Sequence, residues 1–413
     1  MDHKQSTKQP TSVDSKMPSP FATVRNIMPQ SFATMLFMFS VSLYTPLLSP
    51  HLKTLGYSEI HISWMFAASP FITIIATPFF GFFSDAIGRK KIIALGIFLQ
   101  LVAAILFTLA STAALIVIAV LLDAMATYST EIILLAALED RIANNRGKLF
   151  GIYLAIGGSG RYAGFLIGAF LADSFFIRFP FITSATILAI LLFALRYLEI
   201  TDNAQTENIS FRSFILHSSR IIKTNWQFLS SSPFTGVVIQ GISFNARISM
   251  MSIFLPLFIL ENLHGTYKHI GLVFFASQIT VLAQIYFGGL TDRFGGARMT
   301  LGGCYLCAAT TLLIPFSSTI PQLMLIMFIN SIGLFIWNTS AWILIAESGK
   351  KVMGAGSVMS TYVSISRVGS LVGFMVSGYI VVEWGIKTLF IANAILLIIC
   401  TILSRRYILD KTQ

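Results

Sequence analysis

The sequence predicts an all-α membrane protein with twelve transmembrane helices in two pseudo-symmetric six-helix bundles. Three observations carry this. Of 413 residues, 55% are hydrophobic and 11% charged, whereas soluble domains carry about 25% charge. The chain contains a dozen apolar stretches near the ~20 residues that cross a bilayer. Polar residues inside those stretches recur about 207 positions later. The stretches are continuously apolar, so their backbone groups pair within helices and not between barrel strands.

Residues 1–28 form a polar tail rich in Lys, Ser, Thr and Pro, expected to be disordered and cytoplasmic. It lacks the pattern of a cleaved signal peptide. Spans are predicted near 29–50, 59–83, 92–110, 113–138, 148–172 and 179–198, which make the N-terminal bundle (29–198). A long, basic, polar segment over 199–232 joins the halves, and its stretch Phe211 to Leu229 reads as a surface amphipathic helix. Spans near 233–260, 269–290, 299–316, 321–346, 353–382 and 386–404 make the C-terminal bundle (233–404), followed by a short tail over 405–413.

Charge sets the orientation. Outer loops hold only Lys53, Arg178, Lys268 and Lys387, and Arg161, Arg247 and Arg367 fall inside spans. The other 21 of the 28 Lys and Arg lie on the inner side when both termini are cytoplasmic. The net charge of +11 is therefore read as a topology signal and not as a nucleic-acid surface. Cys304 and Cys307 lie inside one apolar span with no further ligand nearby, so packing is the expected role. Short loops and the lack of a targeting segment point to a bacterial cytoplasmic (inner) membrane.

Between spans 2 and 3 the chain reads Gly81-Phe-Phe-Ser-Asp85-Ala-Ile-Gly88-Arg89-Lys90-Lys91. Between spans 8 and 9, 207 residues later, it reads Gly288-Gly-Leu-Thr-Asp292-Arg293-Phe-Gly295-Gly296-Ala-Arg298. The first copy resembles the GxxxDxxGR[KR][KR] motif of the major facilitator superfamily. The second is degenerate, with Gly296 where the first has Arg89. The resemblance covers the chain from about residue 29 onward. It implies a secondary transporter whose halves rock about a central site, with Gly81, Asp85, Gly88, Arg89, Asp292 and Arg293 forming a cytoplasmic latch. Gly81 suits close helix approach and Gly88 a tight turn. In span 5, Gly160-Arg-Tyr-Ala-Gly164-Phe165-Leu-Ile-Gly168-Ala169 is similar to the GxxxGPxxGG motif of the superfamily's antiporters, with Phe165 in place of the proline.

Five charges lie inside spans, each costing about 2.5–3.5 kcal/mol at mid-helix on insertion scales. Asp123 and Glu131 share a face of span 4 with Thr127, and Arg161 is on span 5. Arg247 is on span 7, sharing a face with Gln240, and Arg367 is on span 11. Asn330 and Asn338 stand 207 residues after Asp123 and Glu131. The N-terminal half thus holds acids with one arginine, and the C-terminal half holds arginines with asparagines.

Guanidinium groups that face a cavity without an acid suit bidentate binding of carboxylate or phosphate. Arg161, Arg247 and Arg367, with Gln240, Asn330, Trp337 and Asn338, are the candidate substrate contacts. Asp123 and Glu131 are the candidate proton-coupling groups. Three alternatives stay open: a fixed bridge from Arg161 to Asp123 or Glu131, a gate in which Arg247 or Arg367 pairs with Asp123 or Glu131 across the cavity, and helix packing for the span-10 residues. His51, His61, His264 and His269 fall in or near outer loops, where a solvated setting is expected.

The expected activity is proton-coupled transport of a small organic anion: a carboxylate, an organic phosphate or a carboxylate-type siderophore. A multidrug/proton antiporter is the alternative, and a non-transporting membrane sensor is the alternative of another class. No phosphate loop, no nucleophile with a base and no metal-ligand cluster is apparent, so neither enzyme activity nor a cofactor or metal is expected. The expected partners are an anionic small molecule, protons and the lipid bilayer, with no nucleic acid, and the chain is read as a monomer.

Overall fold

The computed structural model describes residues 20–139, 146–197, 232–350 and 355–409. The described residues form helices, short 3-10 turns and connecting loops, with no strand. The N-terminal half contains α1 (Pro20–Ser42), α2 (Leu48–Thr54), α3 (Glu59–Ile87), α4 (Arg89–Leu109), α5 (Ala113–Glu139), α6 (Arg146–Ser174) and α7 (Phe179–Ala194). The C-terminal half contains α8 (Ser232–Glu261), α9 (Tyr267–Ala276), α10 (Gln284–Phe294), α11 (Gly296–Leu313), α12 (Ile320–Lys350), α13 (Ala355–Trp384) and α14 (Ile386–Leu409). Nine helical stretches among the described residues are long and apolar enough to cross a membrane, and the bent pair α9–α10 makes a tenth. The 29-residue helices α3 and α6 complete the predicted twelve.

Span boundaries differ where hydropathy marks the hydrocarbon and not the helix. α1 begins at Pro20 and α14 continues to Leu409, beyond the expected 29 and 404. Intrahelical hydrogen bonds continue into polar sequence, so a helix outlasts its apolar run. Span 1 breaks at a 3-10 turn, Thr45–Leu47, where Pro46 supplies no N–H. Pro256 in contrast sits inside the unbroken α8. Span 8 bends by 54° between α9 and α10, with a 3-10 segment over Ile279–Ala283. The joining segment, including the helix expected over Phe211 to Leu229, lies outside the described residues, as do residues 1–19 and 410–413 of the two tails.

Local chemistry places the turns. The Ser58 side chain accepts from the His61 amide and caps α3. Gly88 (φ 108°) joins α3 to α4, and Gly295 (φ 86°) joins α10 to α11. These equivalent glycines adopt the left-handed backbone that other residues rarely take.

The halves repeat in their packing. α1 lies on α6 as α8 lies on α13, and α4 lies on α5 as α11 lies on α12. The span-5 glycines are the reason α1 and α6 come so close. A Cβ on Gly164 would sit 2.6 Å from the Phe39 carbonyl oxygen, and Cβ atoms on Gly160 and Gly168 would press on the carbonyls of Met35 and Leu43. On α13, Gly369 and Gly373 do the same against Ile242 and Ala246 of α8. Small residues at such crossings allow the dispersion contacts that hold helices together in lipid.

Contacts between the halves gather at one end, the end that carries the 55–58 and 262–266 turns. There α3 packs on α13, α6 on α9 and α2 on α8. Ser49 Oγ donates to the Ile253 carbonyl at 2.8 Å, and the Ser63 and Ser377 hydroxyls are 3.3 Å apart. Phe66 meets Phe374 and Phe165 meets Phe274. Two ion pairs cross the same end: Lys53–Glu261 at 3.9 Å and Lys268–Asp173 at 4.0 Å.

Candidate functional site

A polar cluster lies at mid-depth where α5, α6 and α13 approach. Arg161 of α6 donates through Nη2 to both Glu131 oxygens of α5, at 3.3 and 3.4 Å. The same nitrogen lies 3.1 Å from Met38 Sδ of α1. One helical turn from Glu131, on the same face of α5, Tyr128 presents its ring to Arg367 of α13, whose guanidinium carbon is 3.8 Å from the ring centroid. That contact joins the two halves. The side chains of Arg161 and Glu131 are 39% and 45% exposed. Among the described residues Arg367 has no acid partner. One turn further along α13, Ser370 Oγ donates to the Asn245 carbonyl of α8 at 3.2 Å.

Asp123 is not the partner of Arg161. Its Oδ1 accepts from the hydroxyl of Tyr44, in the turn that follows α1, and from Gln100 Nε2 of α4 at 2.7 Å. Gln100 Nε2 is also 2.6 Å from the Tyr44 oxygen, and Thr127 donates to Gln100 Oε1 at 3.1 Å. The carboxylate thus ties α4, α5 and the turn after α1 together through neutral partners.

The C-terminal half has the matching knot with the opposite charge. Arg247 of α8 donates through Nη2 to Asn330 Oδ1 of α12, and through Nε to Thr311 of α11 at 3.2 Å. Asn330 Nδ2 donates to Thr310 at 2.7 Å and to the Cys307 carbonyl at 3.2 Å. Arg247 is 3% exposed and Asn330 1%, so neither has the access that Arg161 has. Gln240 and Trp337 are likewise interior. Trp337 Nε1 donates to Gln240 Oε1 at 3.2 Å, Gln240 donates to Ser404 at 2.9 Å, and the Trp337 ring stacks on Phe244 at 3.8 Å. Asn338 is half-buried on α12.

Of the expected substrate contacts, Arg161 and Arg367 are placed against one face of α5. Arg247, Gln240, Asn330 and Trp337 are packed inside the C-terminal half. Tyr128, Asn245 and Ser370 belong to the central region and were not singled out from the sequence. A tyrosine and two small polar groups in a span carry no charge signal, and Ser370 could have been found only by its spacing from Arg367.

Of the expected latch residues, Gly81 and Asp85 lie in α3, Gly88 makes the turn and Arg89 opens α4, half-buried. Asp292 and Arg293 are exposed on the last turn of α10, and Arg293 lies 5.4 Å from the Phe294 ring centroid. His51 differs from its expected solvated setting. It is 1% exposed on α2, because Pro46 turns the end of span 1 back into the bundle. Its Nε2 is 3.1 Å from the Phe107 carbonyl, and its ring packs on Phe181.

Twelve crossing helices, a two-fold repeat of helix packing and an accessible charged cluster between the halves define a multi-pass membrane protein built as a secondary transporter. The family model described as Major Facilitator Superfamily matches residues 31–355 and 247–413, and the chain belongs to that superfamily. An uncharacterised MFS-type transporter of Methanocaldococcus jannaschii is 23% identical over 388 residues, covering 92% of this chain and 97% of its own. The quinolone resistance protein NorA of Staphylococcus aureus is 24% identical over 351 residues, covering 84% and 87%. Among solved structures, a mutant of the nucleoside transporter NupG shares the fold, with a TM-score of 0.78 and 15% identity over 93% of this chain and 99% of that one.

Proposed function

We propose that the protein moves a small organic anion across a bacterial inner membrane by proton-coupled alternating access, with both termini cytoplasmic. One observation carries the substrate class. Arg161 and Arg367 come from opposite halves to one face of α5, where Glu131 is the acid that pairs with Arg161, while Tyr128 offers Arg367 only a ring. Two guanidinium groups with one carboxylate leave the cluster net positive, and a carboxylate or phosphate is the group that guanidinium holds with paired hydrogen bonds. Such an anion would bridge the halves, since its two arginines belong to different ones. Asn338 remains a candidate contact. Arg247, Gln240, Asn330 and Trp337 act in this reading as the scaffold behind the site. The closed end is the outer one by the charge bias of the loops, so the conformation opens towards the cytoplasm.

A second reading has its own support. NorA is named as a quinolone resistance protein and aligns along most of the chain, which favours a multidrug/proton antiporter. Proteoliposomes separate the two. Labelled citrate, glucose 6-phosphate and a lipophilic cation such as ethidium are offered under a pH gradient of either sign. Anion movement that Arg161→Ala and Arg367→Ala both abolish supports the first reading. Movement of ethidium alone overturns it, and ligand binding without movement of any probe would indicate a sensor.

A further inference from the structure

We infer that proton coupling resides in the Tyr44–Gln100–Asp123 knot and not at Glu131, and that α1 carries the signal from it to the substrate cluster. This deepens the transport reading above and rests on it for its purpose. Three observations lead here. First, the two mid-span acids have different partners. Glu131 is tied to a guanidinium in an ion pair. Asp123 has only a phenol and an amide as partners, and it is half-buried. It is therefore the acid that gains and loses a proton without first breaking an ion pair.

Second, among the described residues no other charge faces it. On α5 the nearest titratable group along the same face is Glu131, two turns away and held by Arg161 of α6. α4 presents Gln100, its charged residues being Arg89, Lys90 and Lys91 at one end. The turn after α1 presents Tyr44. α7 presents Phe181, stacked on Tyr44 at 5.1 Å, and beyond it lies His51 of α2. On α3, Glu59 stands at the outer start and is paired with Lys53, and Asp85 stands near the other end.

Third, the equivalent knot in the other half is built so that it cannot titrate. Asn330 replaces Asp123, and the charge is the guanidinium of Arg247, which stays protonated at any physiological pH. Only one half of the molecule carries a proton-labile knot.

The consequence follows along α1. An ionised Asp123 accepts from Tyr44 and Gln100 together. Both donate to Oδ1, so a proton that adds at Oδ2 forms one O–H bond, removes the negative charge those two hydrogen bonds point at, and weakens both. The proton arrives from one aqueous face and leaves the same carboxyl towards the other, with no other bond formed or broken. Tyr44 stands beyond the end of α1, and Met38, within α1, touches Arg161. Loosening of the Tyr44 bond therefore reaches, along α1, the guanidinium that would hold the anion.

The test needs no substrate. Full-length protein in proteoliposomes is titrated across pH ~5 to ~9 by infrared difference spectroscopy of the protonated-carboxyl C=O band. The expected result is a titrating band that persists in Glu131→Gln, vanishes in Asp123→Asn and moves in Tyr44→Phe, which keeps the ring and loses only the donor. A band that vanishes in Glu131→Gln and survives in Asp123→Asn overturns the assignment, as does the lack of any titrating band. Should Asp123→Asn fail to insert, an unmoved band in Tyr44→Phe overturns it equally. Failure of citrate or glucose 6-phosphate to be transported would count against the anion reading and leave this band where it is.

Discussion

Asp123 and Asn330 stand 207 residues apart on equivalent helices, and each is the node of a polar knot that ties three segments of its half. Asp123 joins α5 to α4 and the turn after α1, and Asn330 joins α12 to α8 and α11. Gln100 and Cys307 occupy equivalent positions in the two knots, and so do Gly96 against Thr130 and Gly303 against Trp337. The same frame thus holds an acid in one half and a guanidinium in the other.

The two arginines of that comparison should fail differently. Arg247→Ala removes donors from Asn330 and Thr311 in the interior, and a buried group left unsatisfied costs about 1–3 kcal/mol. For a half of this size the apparent Tm in detergent should fall by about 2–12 °C. Arg161 is accessible, so Arg161→Ala should lower Tm by about 4 °C at most, since an exposed pair contributes about 0–1 kcal/mol, and should lose anion transport. Differential scanning fluorimetry beside an uptake assay checks both. Equal Tm losses would contradict the division between scaffold and site.

The Arg367–Tyr128 contact is the cross-half contact at mid-depth, so it should bias which side is closed. A cation–π contact contributes about 0.5–2 kcal/mol depending on desolvation. Tyr128→Leu should shift the balance between the two closed states by about 2- to 30-fold, while Tyr128→Phe, which keeps the ring face, should not. Distances between spin labels on the ends of α6 and α9 report the balance.

At the closed end, Lys53–Glu261 and Asp173–Lys268 join the halves over 3.9 and 4.0 Å. Both pairs are partly exposed, so each contributes about 0–1 kcal/mol and is screened by salt. The double variant Glu261→Gln with Lys268→Gln should favour opening of this end by about 30-fold at most at low salt, and by less at about 1 M salt. Labelling rates of a cysteine introduced at Ser63, buried at this interface, measure the opening.

Much of this was legible because lipid leaves few choices. A continuous apolar run must be a helix, and a charge within it must face the interior. That Arg161 pairs with an acid of span 4 follows from depth and adjacency, while the choice of Glu131 over Asp123 came only with the structure. The rotation of each helix was not legible. A span that is apolar all round has no face that says which side meets lipid, so Arg247 and Arg367 looked alike in sequence. One proved to be locked among α8, α11 and α12, and the other to lie across the gap on Tyr128. Tyr44 and Gln100 were missed because neutral polar residues in a span are common as packing groups. His51 was misplaced because hydropathy does not show that Pro46 turns the chain inward.

Glycines of the same type should have opposite consequences according to what they face. A Cβ on Gly164 would meet the Phe39 carbonyl at 2.6 Å and Ser42 Cβ at 2.7 Å, both within the N-terminal half. The backbone of α1 cannot yield without shifting the Tyr44 knot, so Gly164→Val should destabilise by about 1–3 kcal/mol and lower Tm. A Cβ on Gly271 would meet Ala169 Cβ at 2.5 Å and the Phe165 carbonyl at 2.9 Å, across the gap between the halves. The halves can relieve that clash by parting, since this contact exists only in the closed end. Gly271→Val should therefore leave Tm nearly unchanged and raise the labelling rate of the cysteine at Ser63. Nothing lies within 4 Å of a Cβ on Gly302, so Gly302→Ala is the control and should gain about 0.5–1 kcal/mol of helix stability. A fall in Tm for Gly271→Val as large as that for Gly164→Val would mean that the closed end is part of the permanent packing and does not open.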